Sequence, residues 1–313
     1  MSDTAAGLRH KISSAGELQS VVRTMKAMAA SNIGQYENAV RSLGDYYRTV
    51  QLGLAACLRQ DAPPAFPARG MHKETGATGA IVFGSDQGLV GQFNEVMAEF
   101  VVDELGRLPG TKVVWAVGER LQSRLAETPL HPQHGFTLPN SISAITPLVG
   151  QILIEMEARR ESGEISQVYL FHNRPKAGNI YAPVSQRLLP LDDVWRHDLA
   201  AIRWPTANLP EAMGNGMRTL RALVREYLFV SLFSACAESL ASENASRLAS
   251  MQRAESNIGE LLEDLTRMFH RQRQSAIDEE LFDVISGFEA LSAAQRPDAQ
   301  PAKGHRSARD AFE

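Results

Sequence analysis

Proline placement constrains this chain more than any other feature. Thirteen of its fifteen prolines fall between residues 63 and 210, and none lies in 1–62 or 211–296. Proline inside a helix removes a hydrogen bond and collides with the preceding turn, so the two proline-free arms can each run as one long helix while the middle cannot. At about 1.5 Å per residue the C-terminal arm can reach roughly 130 Å and the N-terminal arm roughly 90 Å. Helices draw most of their stability from packing, so each arm needs the other.

The apolar spacing agrees. One arm carries Leu8, Ile12, Ala15, Leu18, Val22, Met25 and Ala29, then Tyr36, Val40, Leu43, Tyr47, Val50, Leu54 and Cys57. The other carries Leu248, Met251, Ile258, Leu262, Leu265, Phe269, Ile277, Leu281, Val284 and Phe288. Steps of three and four average about 3.5, the period of a left-handed coiled coil, here with antiparallel arms. Arg23, Lys26, Arg41 and Arg48 on one arm, and Glu260, Glu263, Asp264, Asp278, Glu279 and Glu280 on the other, dress its solvated exterior. The seam is weak where Ala15, Ala29 and Gln272 replace large residues, and Gly34, Gly44, Gly53 and Gly259 each cost about 1 kcal/mol relative to alanine in a helix. An enclosing partner is therefore expected, although a self-contained coiled-coil spacer shares the pattern. If Leu8 pairs with the Ile285 region, Cys57 comes close to Cys236 as two small thiols in one layer.

From residue 78 the period changes. Thr78–Phe83, Lys112–Val117, Ser166–His172 and Ile180–Leu189 read as strands, and Gln92–Leu105, Glu119–Ala126 and Pro147–Arg160 as helices. This alternation predicts an inserted, Rossmann-like α/β domain with a mostly parallel sheet over 78–200. The N-terminal shaft helix is expected over 1–62 and its C-terminal partner over 209–290, with a Pro/Gly linker at 61–77 and a disordered tail at 291–313.

The first strand runs into Gly84-Ser85-Asp86-Gln87-Gly88-Leu89-Val90-Gly91. A glycine-bearing strand-to-helix turn can cradle phosphate, but there is no GxGxxG spacing and no GK[ST] lysine. Such glycines also simply permit a tight turn, with Asp86 capping the following helix or its turn. The histidines lack ligand spacing and no hydrolase or metalloprotease motif occurs, so neither a metal site nor bond chemistry is expected. Two cysteines exclude a disulfide framework. A net charge of −4 argues against nucleic acid. No signal-peptide core or membrane-spanning run is present, and the apolar stretch Tyr227–Ala237 is too short to span a bilayer and reads as buried helix. A cytoplasmic protein is expected.

Three motifs then become specific. Glu238–Met251 (ESLASENASRLASM), with Asn257 and Arg273-Gln274-Ser275-Ala276-Ile277, resembles the C-terminal helix of the F-type ATP synthase gamma subunit family. Met25–Ser31 (MKAMAAS) resembles the end of that family's first helix, and Ser85–Gly91 (SDQGLVG) its first strand turn. The resemblance implies a non-catalytic rotor shaft inside a hexamer of alpha and beta subunits, with an epsilon subunit and a membrane c-ring as further partners and no cofactor or small-molecule substrate of its own. It places the complex at the cytoplasmic face of a bacterial inner membrane. It further implies that Arg273 and Gln274 bond a beta-subunit loop, that Met25 packs on a beta loop and is intolerant of charge, and that Ile202, Arg203 and Trp204 form the foot on the membrane ring.

The chain departs from the family at its start, GLRHKISSAGELQSVV, and in the added residues Glu289–Glu313, expected to obstruct or tether the crown of the hexamer. Such divergence resembles the alternative F-type ATPases of some bacteria. Two rival readings are a nucleotide-binding α/β enzyme with helical dimerisation arms, using the Gly84–Gly91 turn for phosphate, and a structural coiled-coil adaptor.

Overall fold

The computed structural model describes residues 4–60, 76–176, 178–191, 193–208, 210 and 216–294. In chain order the elements are α1 (Ala5–Gln60), β1 (Ala77–Phe83), α2 (Phe93–Gly106), β2 (Lys112–Val117), α3 (Glu119–Ala126), β3 (His134–Phe136), α4 (Ile145–Glu161), β4 (Ile165–Lys176), β5 (Asn179–Leu189), α5 (Asp193–Ala201) and α6 (Gly216–Ala294). Both proline-free arms are thus single helices, of 56 and 79 residues. Residues 61–75 of the expected linker and 295–313 of the expected tail lie outside the described residues.

The chain divides into Ser20–Ser256 and a terminal unit of Met1–Gln19 with Asn257–Glu313. In the larger unit the strands form one sheet in the order β3-β2-β1-β4-β5. β1 pairs in parallel with β2 and β4, β2 with β3, and only β5 is antiparallel, joined to β4 as a hairpin. Alternate residues of each strand serve opposite faces. Ala80, Val82, Val114 and Ala116 pack under α2 and α3 through Met97, Val101, Leu105, Leu121 and Leu125. Ile81, Phe83, Val113, Trp115 and Val117 belong to a larger core with α4, α1 and α6. That is why β1 and β2 read as continuous apolar runs: both faces are covered.

The arms run antiparallel within this unit. Tyr47 packs on Tyr227 with ring centroids 5.8 Å apart, Asn32 bonds Asn244, and Arg23 and Lys26 both bond Glu255. This register corrects the cysteine expectation. Cys236 lies beside Tyr36, whereas Cys57 lies four places past Gly53, whose missing Cβ would touch Leu223. The 21 residues between Tyr36 and Cys57 amount to about 30 Å of helix, so the two thiols occupy separate layers. The error came from matching the chain ends, when the longer helix extends past the shorter.

In the terminal unit Leu8, Ala15 and Leu265 are buried together, flanked by Ile12, Ile258, Leu262 and Phe269. The Arg9 guanidinium sits 5.5 Å from the centre of the Phe269 ring. Past that level the expected seam stops. Ile277, Leu281 and Val284 are exposed, and the described contacts between α1 and α6 in this unit lie at the level of Leu8, Arg9, Leu265 and Phe269. Leu18 is also exposed rather than in the seam.

Three further elements are not read from the sequence: the three-residue edge strand β3, the 3-10 turn Ile142–Ala144 and the helix α5. The long C-terminal helix begins at Gly216, seven residues after the expected 209, the other boundaries differ by about four residues or fewer, and β2 and α3 fall where the apolar runs put them.

Close packing at the end of β1 gives a direct test. A Cβ on Gly84 would lie 2.3 Å from Leu121 Cβ and 2.8 Å from Asn94 Oδ1, whereas one on Gly106 would meet nothing within 4 Å. Gly84→Ala is expected to cost about 1–3 kcal/mol in urea unfolding, and Gly106→Ala to be neutral or to stabilise by up to about 1 kcal/mol.

Candidate functional site

The motif residues on α6 lie where that helix is gripped from two sides. From Ala235 to Ser246 nearly every residue is buried, and alanine and serine predominate. Small side chains let neighbouring backbones approach. On the sheet side Glu238 Oε2 accepts from Arg174 Nε at 2.7 Å and faces His172 Nε2 at 2.7 Å. One turn on, Ser242 Oγ donates to the Asn173 carbonyl at 3.1 Å, and a further turn on Ser246 Oγ donates to the Val90 carbonyl at 2.6 Å.

The glycine turn is committed to the same joint. Leu89 and Gly91 have φ of 64° and 60°, left-handed values that turn the chain out of β1 and leave the Val90 carbonyl with Ser246. Asp86 does not cap the helix that follows it. Its Oδ1 accepts from the Glu119 amide at the start of α3 and its Oδ2 from the Leu138 amide, both at 3.0 Å. The reason is topological: β1 and β2 are parallel neighbours, so their C-terminal ends are adjacent. Arg120 N donates to the Ser85 carbonyl, and the Asn94 side chain is bonded to Ser85. The side chains of Ser85, Asp86 and Asn94 are therefore engaged within the fold.

Met25 is half-buried and lines a cleft of about 460 Å³ between α1, this turn and α6, with Met28, Asp86, Gln87 and Arg247 among its walls. At its base the Arg247 guanidinium is 2.6 Å from the buried Glu243 carboxylate. Burial pushes the Glu243 carboxyl above its ordinary range although Arg247 pulls it down, and nearby Asp86 adds to the rise. Arg273 and Gln274 belong to the terminal unit, on the bare part of α6, and both are exposed. Ile202 packs against the main core, while Arg203 is exposed and Trp204 half-buried. The carbonyls of Ala200 and Ile202 each accept from Arg59 Nη2 at 2.8 Å, so the last turn of α1 fastens this segment. Arg59, Glu255 and the His172–Glu238–Arg174 cluster were not found by sequence reasoning, since their partners are dozens to hundreds of residues away.

Two long antiparallel helices packed with an α/β sheet define the class of fold. The chain belongs to the ATP synthase family, whose model it matches over residues 4–291. It is similar to the ATP synthase gamma chain of Polynucleobacter asymbioticus, with 26% identity over 289 residues covering 91% of this chain and 98% of that one. It is 28% identical over 294 residues to the ATP synthase gamma chain of Glaesserella parasuis, covering 92% and 99%. Among solved structures, a chain of the Euglena gracilis mitochondrial ATP synthase (OSCP/F1/c-ring, rotational state 3) matches with a TM-score of 0.61 at 15% identity, covering 96% of this chain and 99% of that one. At that identity the likeness is one of fold.

The histidine at the joint gives it a pH dependence. Burial lowers the His172 imidazole below its ordinary value even though Glu238 pulls the other way, so near neutrality the ring is uncharged and its Nε2 donates to the carboxylate. Burial raises Glu238, but its bonds to His172 and Arg174 outweigh that and hold it below the ordinary carboxylate range. Both folded-state values lie below their unfolded ones, so both contributions are present at high pH and lost on acidification. The histidine's fades first, below its ordinary value of 6.5. Glu243, raised, acts in the opposite sense near its ordinary value of 4.5. The unfolding midpoint is expected to fall between about pH 7.5 and pH 5.5, and His172→Gln to flatten that fall. An equal slope in the variant would place its source elsewhere.

Proposed function

We propose that this chain is the central-stalk gamma subunit of an F-type ATP synthase, transmitting torque between an ion-driven membrane ring and the alpha-beta hexamer. The observation that carries this reading, beside the gamma-chain relatives, is the exposed apolar surface near the end of α6. Every described side chain from Arg271 to Glu289 is exposed, with Ile277, Leu281, Phe282, Val284, Ile285 and Phe288 among them. Phe282 lies about 100° round the helix from Leu281, so the apolar surface is wider than one partner helix could cover. A surrounding sleeve fits it.

One asymmetric shaft inside a three-fold ring presents a different face to each catalytic site, and so holds three chemically identical sites in three states. Driving a two-state site from 1:99 to 99:1 takes about 5.5 kcal/mol of differential contact, within reach of a few buried side chains and charge-assisted bonds. The bond chemistry then belongs to the beta subunits. Arg273 and Gln274 would reach a beta loop, Met25 would pack on another, and the Arg203–Trp204 segment would face the ring, with an epsilon subunit beside it. In this reading the shaft comprises residues 1–62 and 209–290, the body 78–200, and the complex sits at the cytoplasmic face of the inner membrane. Among the described residues no helix is long and apolar enough to cross a membrane.

Mixing the chain with cognate alpha and beta subunits tests the proposal. A complex of three alpha, three beta and one copy of this chain, with ATPase activity above that of the parts, is expected, and failure to assemble would count against it. In the assembled complex Arg273→Ala is expected to lower turnover or the coupling ratio without preventing assembly. Unchanged turnover and coupling would remove Arg273 from the working contacts.

A further inference from the structure

We propose that Glu238, Ser242 and Ser246 of α6 are the torque-bearing contacts of this chain, the side chains through which the sheet body turns the long helix; this rests on the rotor reading above. They recur every four residues and so form one stripe of α6. Their partners belong to the sheet body: His172, the Asn173 carbonyl and Arg174 on β4, and the Val90 carbonyl in the turn after β1. Tyr181 of β5 lies beside Ser246. Three consecutive residues of β4 are thus engaged with one side of the helix.

The surroundings explain why these bonds matter for torque. Around them α6 presents Ala235, Ala237, Ser239, Leu240 and Ala241, all buried. Apolar burial is non-directional, so a helix seated on alanines resists separation but only weakly resists rolling or sliding. Torque about the helix loads this contact tangentially. Hydrogen bonds weaken steeply when bent or stretched, and two of these end on backbone carbonyls, while the charge-assisted contacts at Glu238 are among the strong ones. The stripe therefore supplies the tangential stiffness that the apolar packing lacks.

The polar contacts between α6 and α1 do a different job. Asn32–Asn244, Tyr46–Glu226 and the Glu255 pairs with Arg23 and Lys26 join two helices that turn together. They carry no load between body and shaft. Tyr46→Phe is accordingly a control that removes a hydrogen bond of the same kind in the wrong place.

The test uses the assembled complex with a rotation probe on Cys introduced at exposed Ile180, near the tip of the β4–β5 hairpin. In stalled complexes the Glu238→Gln/Ser242→Ala/Ser246→Ala variant should raise the variance of the probe angle by roughly twofold or more, with unloaded ATPase turnover changing less than about twofold. Arg174→Ala, which truncates a half-exposed side chain, should give a smaller rise in the same direction, and Tyr46→Phe none. Unchanged variance in both sheet-side variants, or an equal rise with Tyr46→Phe, would overturn the proposal. On the chain alone, the amides of residues 238–246 should exchange about tenfold faster in the triple variant while those of 258–269 stay unchanged. A wild-type complex that does not rotate would sink the rotor reading, and the exchange result would then decide separately whether the clamp exists; unchanged exchange would refute it.

Discussion

The fold depends on how closely α6 approaches the sheet and α1 at once. Between Ala235 and Ser246 one helix serves two partners, so neither flank can carry bulk, and small residues recur where an ordinary amphipathic helix would have leucines on one face and charges on the other. Close approach removes the room for water. Each polar group brought in must then find a protein partner or bear the cost of being left alone. Glu238, Ser242, Asn244, Ser246 and Arg247 find theirs within the fold, on β4, on the turn after β1 or along α6 itself. The segment that resembles the family most strongly is therefore also the one with the least freedom to change.

The turn after β1 follows from the same joint. Its glycines invite comparison with a phosphate loop, yet Gly84 is needed because Leu121 and Asn94 occupy the space a side chain would take. Asp86 reaches sideways to α3 and the Leu138 amide, and Val90 offers its carbonyl to Ser246. The polar side chains of this turn are spent on its neighbours, and its Val90 carbonyl is part of the seat of α6.

What was legible in the sequence follows the range of the interaction involved. Periodicity and proline placement are local, so both long helices, four strands and their helices could be read before any coordinates. β3 was not, because three residues carry too little pattern, and α5 was not, because Asp193–Ala201 follows a proline and mixes charges with its apolar residues. Helix register is a long-range property. Seam spacing says that two helices pair but repeats along their length, so it cannot say which turn meets which; assuming matched ends puts Cys57 beside Cys236 and sets Ile277, Leu281 and Val284 in the seam, where the structure leaves them exposed. The candidate site was legible only through resemblance. Met25, Arg273 and Gln274 carry no local chemical signature, and His172 has a hydrogen-bonding partner, Glu238, on another element that spacing alone could not reveal.

Along α6 two kinds of surface succeed one another, and their physics differs. In the stretch that meets the sheet, directional bonds fix the angle of the helix and apolar contacts fill space. In the stretch beyond Phe269 the described side chains are exposed, and aliphatic ones such as Leu281 and Val284 have no polar group with which to form a directional bond. Apolar contact keeps its strength as one surface turns past another, because it is set by area and not by angle. A part that must be driven needs the first kind of contact, and a part that must turn within a sleeve needs the second. A single uninterrupted helix bearing both, in that order, is what torque transmission through a rotating shaft requires, and neither a dimerisation arm nor a static spacer would call for the change in surface.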